Sequence, residues 1–395
     1  MAPIFPVGIV VALIAVMTVR HQNVLQQQQK DTSDSKGIQE NSRGALEKAR
    51  KIQPPTISLM EGGEYEHGEF WGEQDAVIKA AWEEWWNQQE TSLPNLLKAK
   101  NEMMDSALVR AVQQVRQNPT EENEDQLQKL FQPIVANQVY QIPLLTPRGV
   151  QLVRQHLDVA SYYYNDRKHH NNNQTQDNNS SPVEKAGIPT RRPNGMNRYG
   201  IIIDPSIEGA VSYAEINKWM QELVDEFVRP LSRMLFPQLT SRNHPEDDCE
   251  SYAFTIRYHP EEDMELKEHS DASVYTININ LNLVPEKNGS SLDTTTVQNS
   301  NEHSTTHHDQ STSTTTEQYE GSSLYFVDPV TESQQHVSFS PGMAVLHRGL
   351  IRHAALPIEE GERHNLVIWL FGQHGYVRFG EYPKLERLTV AERWA

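Results

Sequence analysis

The segment of residues 258–282 constrains the fold more strongly than any other part of this sequence. Residues 274–282 alternate apolar and polar side chains and are rich in β-branched residues, which predicts a half-buried β-strand. Its polar positions are Thr276, Asn278, Asn280 and Asn282. In a β-barrel with a ligand-holding interior this polar face would line the cavity, whereas in a simple sheet it would face solvent. The alternation alone fits both arrangements.

A histidine and an aspartate lie just before that strand, in the sequence His269-Ser270-Asp271. Side chains two residues apart on an extended segment point to the same side. An imidazole and a carboxylate that converge in this way form two-thirds of a metal site with mixed nitrogen and oxygen ligands. The motif is too short to identify such a site by itself, so a third ligand must come from elsewhere in the chain.

The candidate third ligand is His353, which precedes Arg363 by ten residues. Between the two, Pro357 and the acidic run 359–362 predict a turn. His353 is therefore placed near the end of one strand, and Arg363 begins the next strand, which continues as the apolar run 366–371. An arginine at this position can bind a carboxylate through two parallel hydrogen bonds.

The order and spacing of His269, Asp271, His353 and Arg363 resemble the iron(II)- and 2-oxoglutarate-dependent dioxygenases of the prolyl 4-hydroxylase type. The neighbouring sequence is similar as well, with L-H-x-G-x-x-x-H ending at His353 and G-x-R ending at Arg363. The hairpin sequence Gly-Ser-Ser-Leu-Tyr-Phe at residues 321–326 has a counterpart in the same family.

The resemblance extends over roughly residues 190–375. Residues 192–200 look like the segment that precedes this domain in the "2-oxoglutarate and iron-dependent oxygenase domain-containing protein 2" subgroup. A polar insert between the strand that ends near residue 283 and the hairpin at residue 321 departs from the family pattern.

The resemblance implies a function for the four-residue set of His269, Asp271, His353 and Arg363. His269, Asp271 and His353 would bind Fe(II), and Arg363 would bind the distal carboxylate of 2-oxoglutarate, the cosubstrate. The implied reaction is hydroxylation of a C–H bond with O2, with release of succinate and CO2. The substrate stays open: a prolyl or lysyl side chain, another protein group, a sugar or a small molecule would all be compatible.

The resemblance also assigns supporting residues. Tyr258 matches a family position whose hydroxyl helps to bind the cosubstrate carboxylate, and Thr276 matches another such position. Ascorbate is implied as a reductant. His347, six residues before His353, is predicted to be structural or to support the site, because the ten-residue spacing to the arginine belongs to His353.

Two other classes of function are compatible with these residues. A jelly-roll binding module could keep the fold without turnover, although an intact set of four argues against it. The same three metal ligands could hold zinc and a hydrolytic water, but Arg363 has no natural role in such a hydrolase.

The predicted fold is α+β, a double-stranded β-helix (jelly roll) with supporting helices after a helical N-terminal region. Eight short strands are predicted between residues 251 and 372, and an amphipathic helix over 210–236 is expected to support one sheet. A further short strand is predicted at 199–204.

The predicted domain organisation has five parts. Residues 1–20 form a membrane anchor or signal segment, 21–60 a flexible stalk, and 61–185 a helical region that ends in a low-complexity loop. Residues 186–380 form the dioxygenase domain, with a disordered insert at 286–318, and residues 381–395 form a C-terminal tail.

The first 19 residues carry no charged side chain and are mostly apolar, which is near the lower limit for a membrane-spanning helix. A single-pass anchor in the secretory pathway (endoplasmic reticulum or Golgi) is predicted, with a targeting signal or an interior helix as alternatives. Organellar and cytoplasmic locations stay open. Sequons for N-glycosylation at Asn173, Asn178 and Asn288 are compatible with a luminal location.

The formal net charge of −18 argues against non-specific binding of nucleic acid, which requires basic surface. The single cysteine, Cys249, excludes an intramolecular disulfide, a cysteine-ligated zinc cluster and an iron–sulfur site. The predicted partners are therefore a protein or small-molecule substrate and, through the N-terminal segment, a membrane.

Overall fold

The computed structural model describes residues 44–54, 68–89, 93–161, 181–193, 197, 199–284 and 319–395. The apolar N-terminal segment, most of the predicted stalk, the insert and the three sequons lie outside the described residues. Within the described ranges, no helix is both long and apolar enough to cross a membrane.

Ten α-helices occur in the described part of the chain. They are α1 (Ala45–Ala49), α2 (Gly68–Asn87), α3 (Leu96–Met103), α4 (Ser106–Gln117), α5 (Glu121–Gln128), α6 (Pro147–Ala160), α7 (Pro182–Ala186), α8 (Ala214–Leu223), α9 (Arg229–Leu235) and α10 (Val390–Arg393). The pair Thr146-Pro147 in the sequence predicts a helix start. In the structure, the side-chain oxygen of Thr146 accepts the Gly149 N–H at the start of α6, and Pro147 occupies its first turn.

Two predicted helices differ from the observed ones. The apolar spacing over residues 93–117 predicts one helix. The structure divides it into α3 and α4, because Met104 is extended and Asp105 accepts the N–H groups of Ala107 and Leu108 as a helix cap. The helix predicted over 210–236 begins at Ala214 instead.

Helices α8 and α9 are joined by a π-helical turn, Val224–Val228. Pro230 has no N–H for the carbonyl one turn earlier, so the regular hydrogen-bond pattern cannot pass through it. Arg116 of α4 donates to the Glu226 carbonyl at 2.9 Å, which satisfies one of the carbonyl groups left over. The long predicted helix is therefore nearly continuous but not regular.

Twelve strands occur in the described residues. They are β1 (Gln132–Val135), β2 (Val139–Pro143), β3 (Glu250–Tyr258), β4 (Leu266–His269), β5 (Tyr275–Asn280), β6 (Tyr319–Gly321), β7 (Leu324–Val327), β8 (Gln334–Val337), β9 (Met343–Arg348), β10 (His353–Ala355), β11 (Ile358–Gly361) and β12 (Arg363–Phe371). The eight strands predicted between 251 and 372 all occur within a few residues of their predicted positions.

The strands form two main antiparallel sheets. The larger sheet has the order β1-β2-β9-β5-β12-β3, the smaller one has the order β4-β10-β7-β8, and β11 pairs separately with β6. Strands β3, β4 and β5 alternate between the two main sheets, and so do β8, β9 and β10, as in a jelly roll. The α+β jelly roll with supporting helices is therefore confirmed.

Strand β5 shows how the two faces of the larger sheet are used. Ile277 and Ile279 join the core that the sheet shares with the helices. The alternating polar residues Asn278 and Asn280 point to the opposite face, toward the smaller sheet. There Asn280 donates to the Phe339 carbonyl, and Asn365 donates to Asn278. The polar face of the predicted strand thus lines the space between the sheets.

The helical region and the jelly roll are one structural unit. Strand β2, from the region predicted as helical, pairs with β9 of the jelly roll, with Tyr140 opposite Leu346. One apolar core includes Leu46, Trp82 and Trp394 together with the side of the larger sheet that faces the helices. The boundary predicted at residue 186 is therefore wrong, because it would cut through a sheet and its core.

Three smaller predictions are also corrected. Part of the predicted stalk forms α1, where the Leu46 N–H donates to Glu84 of α2. The predicted C-terminal tail contains α10, and its Trp394 is buried and donates to Glu124 at 2.7 Å. The strand predicted at 199–204 is reduced to one isolated bridge between Ile202 and Phe254.

Candidate metal and cosubstrate site

Strand pairing brings the two predicted histidine ligands together from distant parts of the chain. Strands β4 and β10 are antiparallel neighbours, and His269 is the register partner of His353. Their ring centroids are 4.3 Å apart. Asp271 lies just beyond β4, where its N–H donates to the Gly349 carbonyl at 2.8 Å. The end of one short strand and the start of another thus define the site.

The side chains of these three residues converge on one point. Asp271 Oδ1 lies 3.4 Å from His269 Nε2 and 3.7 Å from His353 Nε2. One ligand atom from each residue lies within 4.8 Å of the other two. Two imidazole nitrogens and a carboxylate oxygen at this separation fit the facial ligand set of a non-haem iron(II) site.

Backbone hydrogen bonds orient both imidazole rings. Nδ1–H of His269 donates to the Lys267 carbonyl at 2.7 Å, and Nδ1–H of His353 donates to the Ile351 carbonyl at 3.0 Å. These bonds fix the tautomer with an unprotonated Nε2, the atom that faces Asp271. In their neutral forms, both rings therefore direct a lone pair toward the shared centre.

Burial and charge set the ionisation of the three groups. Burial alone would raise the pKa of Asp271, but the nearby His353, His269 and His347 lower it well below the usual range. Burial lowers the pKa of His353 to about 3, so this ring is neutral at physiological pH. Burial disfavours protonation of His269 too, yet its contact with Asp271 raises the pKa of that ring above the usual value. An ionised aspartate and a neutral His353 are the protonation states that metal binding requires.

Thr276 contacts the aspartate and is far from the predicted arginine. Its hydroxyl donates to Asp271 Oδ2 at 2.6 Å and lies 2.8 Å from the Ser273 hydroxyl. On the paired strand Thr276 is opposite Trp369, six residues from Arg363, or roughly 20 Å along the strand. The structure thus gives Thr276 a position that orients Asp271, and it corrects the prediction that Thr276 shares the carboxylate pocket of Arg363.

His347 occupies the other side of the same carboxylate. Its Nε2 lies 3.7 Å from Asp271 Oδ2, and its Nδ1 lies 3.0 Å from the Arg348 carbonyl. Burial lowers its pKa, and its ring is 4.7 Å from that of His353. His347 thus lies against the ligand set and does not belong to the group of three convergent ligand atoms. Its predicted supporting role stays a prediction.

Arg363 is a buried cation at the start of β12. It is only 1% exposed, and its Nη1 donates to the Ser322 carbonyl. The guanidinium lies 4.4 Å from the centre of the Tyr258 ring, because the two residues are register partners on β12 and β3. Its Nε and Nη2 have no hydrogen-bond partner among the described residues. A buried cation with free donors fits a carboxylate ligand.

One aromatic residue of the site, Phe326, was not predicted as part of it. Phe326 on β7 stacks against His353 with ring centroids 5.4 Å apart and lies 4.9 Å from His347. In the sequence, it belongs only to the hairpin segment 321–326 and has no assigned role. The pairing of β7 with β10 places it behind the candidate ligand.

This region is similar in sequence to curated oxygenases. The chain is 27% identical to 2-oxoglutarate and iron-dependent oxygenase domain-containing protein 2 of Xenopus tropicalis over 197 residues, which are 47% of this chain and 42% of the relative. It is 29% identical to 2-oxoglutarate and iron-dependent oxygenase domain-containing protein ICU11 of Arabidopsis thaliana over 188 residues, 45% of this chain and 36% of the relative. The chain is a relative of these proteins. It spans less than half the length of either one.

The similarity to solved structures is weaker than the similarity to the curated sequences. A prolyl-4-hydroxylase structure from Pseudomonas putida aligns with a TM-score of 0.28 and 16% identity, covering 48% of this chain and 82% of that one. At this score the alignment bears on neither the site nor the function. No protein-family model matches the chain.

Proposed function

We propose that the chain is an iron(II)- and 2-oxoglutarate-dependent dioxygenase that hydroxylates a C–H bond and releases succinate and CO2. The observation that supports this most directly is the convergence of His269, Asp271 and His353 within 4.8 Å. The buried, unneutralised Arg363 is the second support, because a 2-oxo acid with a distal carboxylate would satisfy its free donors. The similarity to oxygenase domain-containing proteins agrees with both.

Each residue of the site has a role that follows from its environment. His269 and His353 would hold Fe(II) through Nε2, and Asp271 through Oδ1, while the Thr276 hydroxyl keeps the carboxylate in one orientation. Arg363 would bind the distal carboxylate of 2-oxoglutarate at the other end of the site. When bound, iron and 2-oxoglutarate together supply the activation of O2, and the protein supplies position and exclusion of water.

Finer assignments are part of the same proposal. A prolyl or lysyl side chain is the proposed substrate group, and ascorbate the proposed reductant, both from the family resemblance alone. A membrane location rests on the apolar composition of the first 19 residues. The negative net charge supports the proposal that nucleic acid is not a partner.

The test is 2-oxoglutarate turnover by the full chain. Purified protein is supplied with Fe(II), ascorbate and O2, and succinate is measured with and without the metal. We expect iron-dependent succinate release, which occurs slowly even without the main substrate. Mass spectrometry of candidate peptides would then look for an added 16 Da. Absence of succinate despite tight metal binding would instead favour a binding module, and hydrolysis by the zinc-loaded chain would favour a hydrolase.

A further inference from the structure

We propose that Ser322 is a second binding residue for the distal carboxylate of 2-oxoglutarate, and that it acts beside Arg363. This inference rests on the proposed function. It adds a residue that the four-residue motif does not include and that replaces Thr276 in the carboxylate pocket.

The backbone at Ser322 is unusual. The residue follows β6 in a tight turn and has a φ of 51°, in the left-handed region that L-residues seldom adopt. Its N–H donates to the Pro357 carbonyl at 2.8 Å, which holds the turn against the segment before β11. Glycine would adopt this conformation without strain. A serine in a strained position is therefore a reason to look for a role of its side chain.

The buried polar atoms without partners around Arg363 can all donate a hydrogen bond. Ser322 is 1% exposed, and its Oγ has no hydrogen-bond partner among the described residues. The same holds for Nε and Nη2 of Arg363, whose Nη1 donates to the Ser322 carbonyl. A serine hydroxyl lies within a few ångström of its own carbonyl oxygen, roughly 3–5 Å away by covalent geometry. The hydroxyl and the guanidinium therefore both lie close to the Ser322 carbonyl oxygen, and together they define the proposed pocket.

Buried donors without acceptors are unfavourable, so the pocket is suited to an anion. A carboxylate has two oxygens that can accept several hydrogen bonds at once. One oxygen would accept from the guanidinium and the other from the Ser322 hydroxyl. The Ser322 carbonyl in turn holds Nη1 of Arg363, so this residue both orients the arginine and contacts the ligand. The pocket would thus select 2-oxo acids that carry a distal carboxylate.

The test compares two oxo acids by isothermal titration of the full chain loaded with Mn(II). One is 2-oxoglutarate, and the other is 2-oxobutyrate, which has the keto acid group but no distal carboxylate. Ser322→Ala and Ser322→Gly remove the hydroxyl, and the glycine variant relieves the strained backbone. We expect both variants to bind 2-oxoglutarate about tenfold to a hundredfold more weakly, as for a lost hydrogen bond to a charged group. Their affinity for 2-oxobutyrate should equal that of the wild type.

Ser323→Ala is the matched control. Ser323 is adjacent in the chain, but its hydroxyl lies 3.2 Å from His336 on the outer side of the hairpin. This variant should bind 2-oxoglutarate like the wild type. If both Ser322 variants bind it as tightly as wild type, or if they lose both oxo acids equally, the inference about Ser322 is overturned. If wild type itself fails to bind 2-oxoglutarate, the proposed function fails first.

Discussion

His269 and His353 are direct register partners on two antiparallel strands, and their Nε2 atoms face the same oxygen of Asp271. Each histidine depends on the other strand for its position, and a backbone carbonyl holds each ring. The metal site is therefore part of the sheet, and its geometry follows from the strand register.

The first prediction concerns the three ligands. We expect each of three substitutions to weaken Fe(II) or Mn(II) binding by more than about a hundredfold: His269→Ala, Asp271→Asn and His353→Ala. The loss should exceed that for a residue that only supports a ligand, whose substitution typically lowers metal affinity by about ten- to a hundredfold. Anaerobic titration calorimetry measures the affinity, and circular dichroism checks the fold. His347→Ala is the comparison, and it should retain most metal binding. Equal losses for His347→Ala and His353→Ala would show that the ligand set is misassigned.

Arg363 is the subject of the second prediction. Arg363→Ala should weaken binding of 2-oxoglutarate by about 2–5 kcal/mol, the usual cost of removing one partner of a buried charge pair. This corresponds to a loss of roughly thirtyfold to several-thousandfold. Arg363→Lys should lie between the two, since it keeps the charge and loses the paired hydrogen bonds. Metal affinity should be unchanged in both, and unchanged affinity for 2-oxoglutarate would refute the assignment.

Thr276 offers a test of how the aspartate is oriented. Thr276→Val keeps the shape of the side chain but removes the hydroxyl that donates to Asp271 Oδ2. We expect a loss of metal affinity of about tenfold, at the lower end for residues that support a ligand. Thr276→Ser should restore it. Ser270→Ala serves as control, because that hydroxyl donates to the Leu350 carbonyl and does not contact Asp271.

The fourth prediction concerns pH. Burial raises the pKa of Glu262 from 4.5 to about 7. The charge of Glu362 adds to this increase, whereas the attraction of Arg257 opposes it. The folded state therefore binds a proton that the unfolded state releases, and this contribution to stability is lost as pH rises from 4.5 to 7. Chemical denaturation across this range should show a steeper fall in the free energy of unfolding for wild type than for Glu262→Gln. The exposed neighbour provides a control, since Glu261→Gln should follow the wild type.

The last prediction follows from the shared sheet. A chain truncated to residues 186–380 lacks β1 and β2, so β9 would lose one of its two neighbouring strands. The apolar face of the larger sheet would keep α8 and α9 but lose the contribution of α1 to α6 and of Trp394 to its core. Such a fragment should show no cooperative thermal transition. A chain that begins at residue 44 keeps every described element and should unfold cooperatively. Cooperative unfolding of the shorter fragment would mean that the helical layer is dispensable.

Much of the jelly roll could be predicted because its strands alternate regularly. Strand β5 is an example, since its apolar side chains face the helices and its polar ones face the cavity. Strands β1 and β2 were missed because both are short and contain proline, which argues against a strand inside a sheet. Pro133 is accommodated because β1 is an edge strand, and Pro143 because it ends β2.

The four-residue set could be predicted because order and spacing are visible in the sequence. The neighbours of these residues could not, since they depend on which strands pair. Thr276 was placed near Arg363, but the register of β5 with β12 puts it beside Asp271. Ser322 gave no signal, because a serine after a glycine is typical of any hairpin turn.

The continuous apolar core that joins Leu46, Trp82 and Trp394 to the larger sheet has a thermodynamic consequence. A ligand that binds only the folded state stabilises everything that unfolds together with its site. Occupancy of the site between the sheets should therefore protect amides in α2 and α10 from hydrogen exchange, although neither helix contributes a residue to it. Conversely, a smaller residue at the buried Trp82 would leave a cavity and lower the stability of the fold. Fewer molecules would then be folded and able to bind metal, so a substitution in the helical layer can resemble a defect of the site.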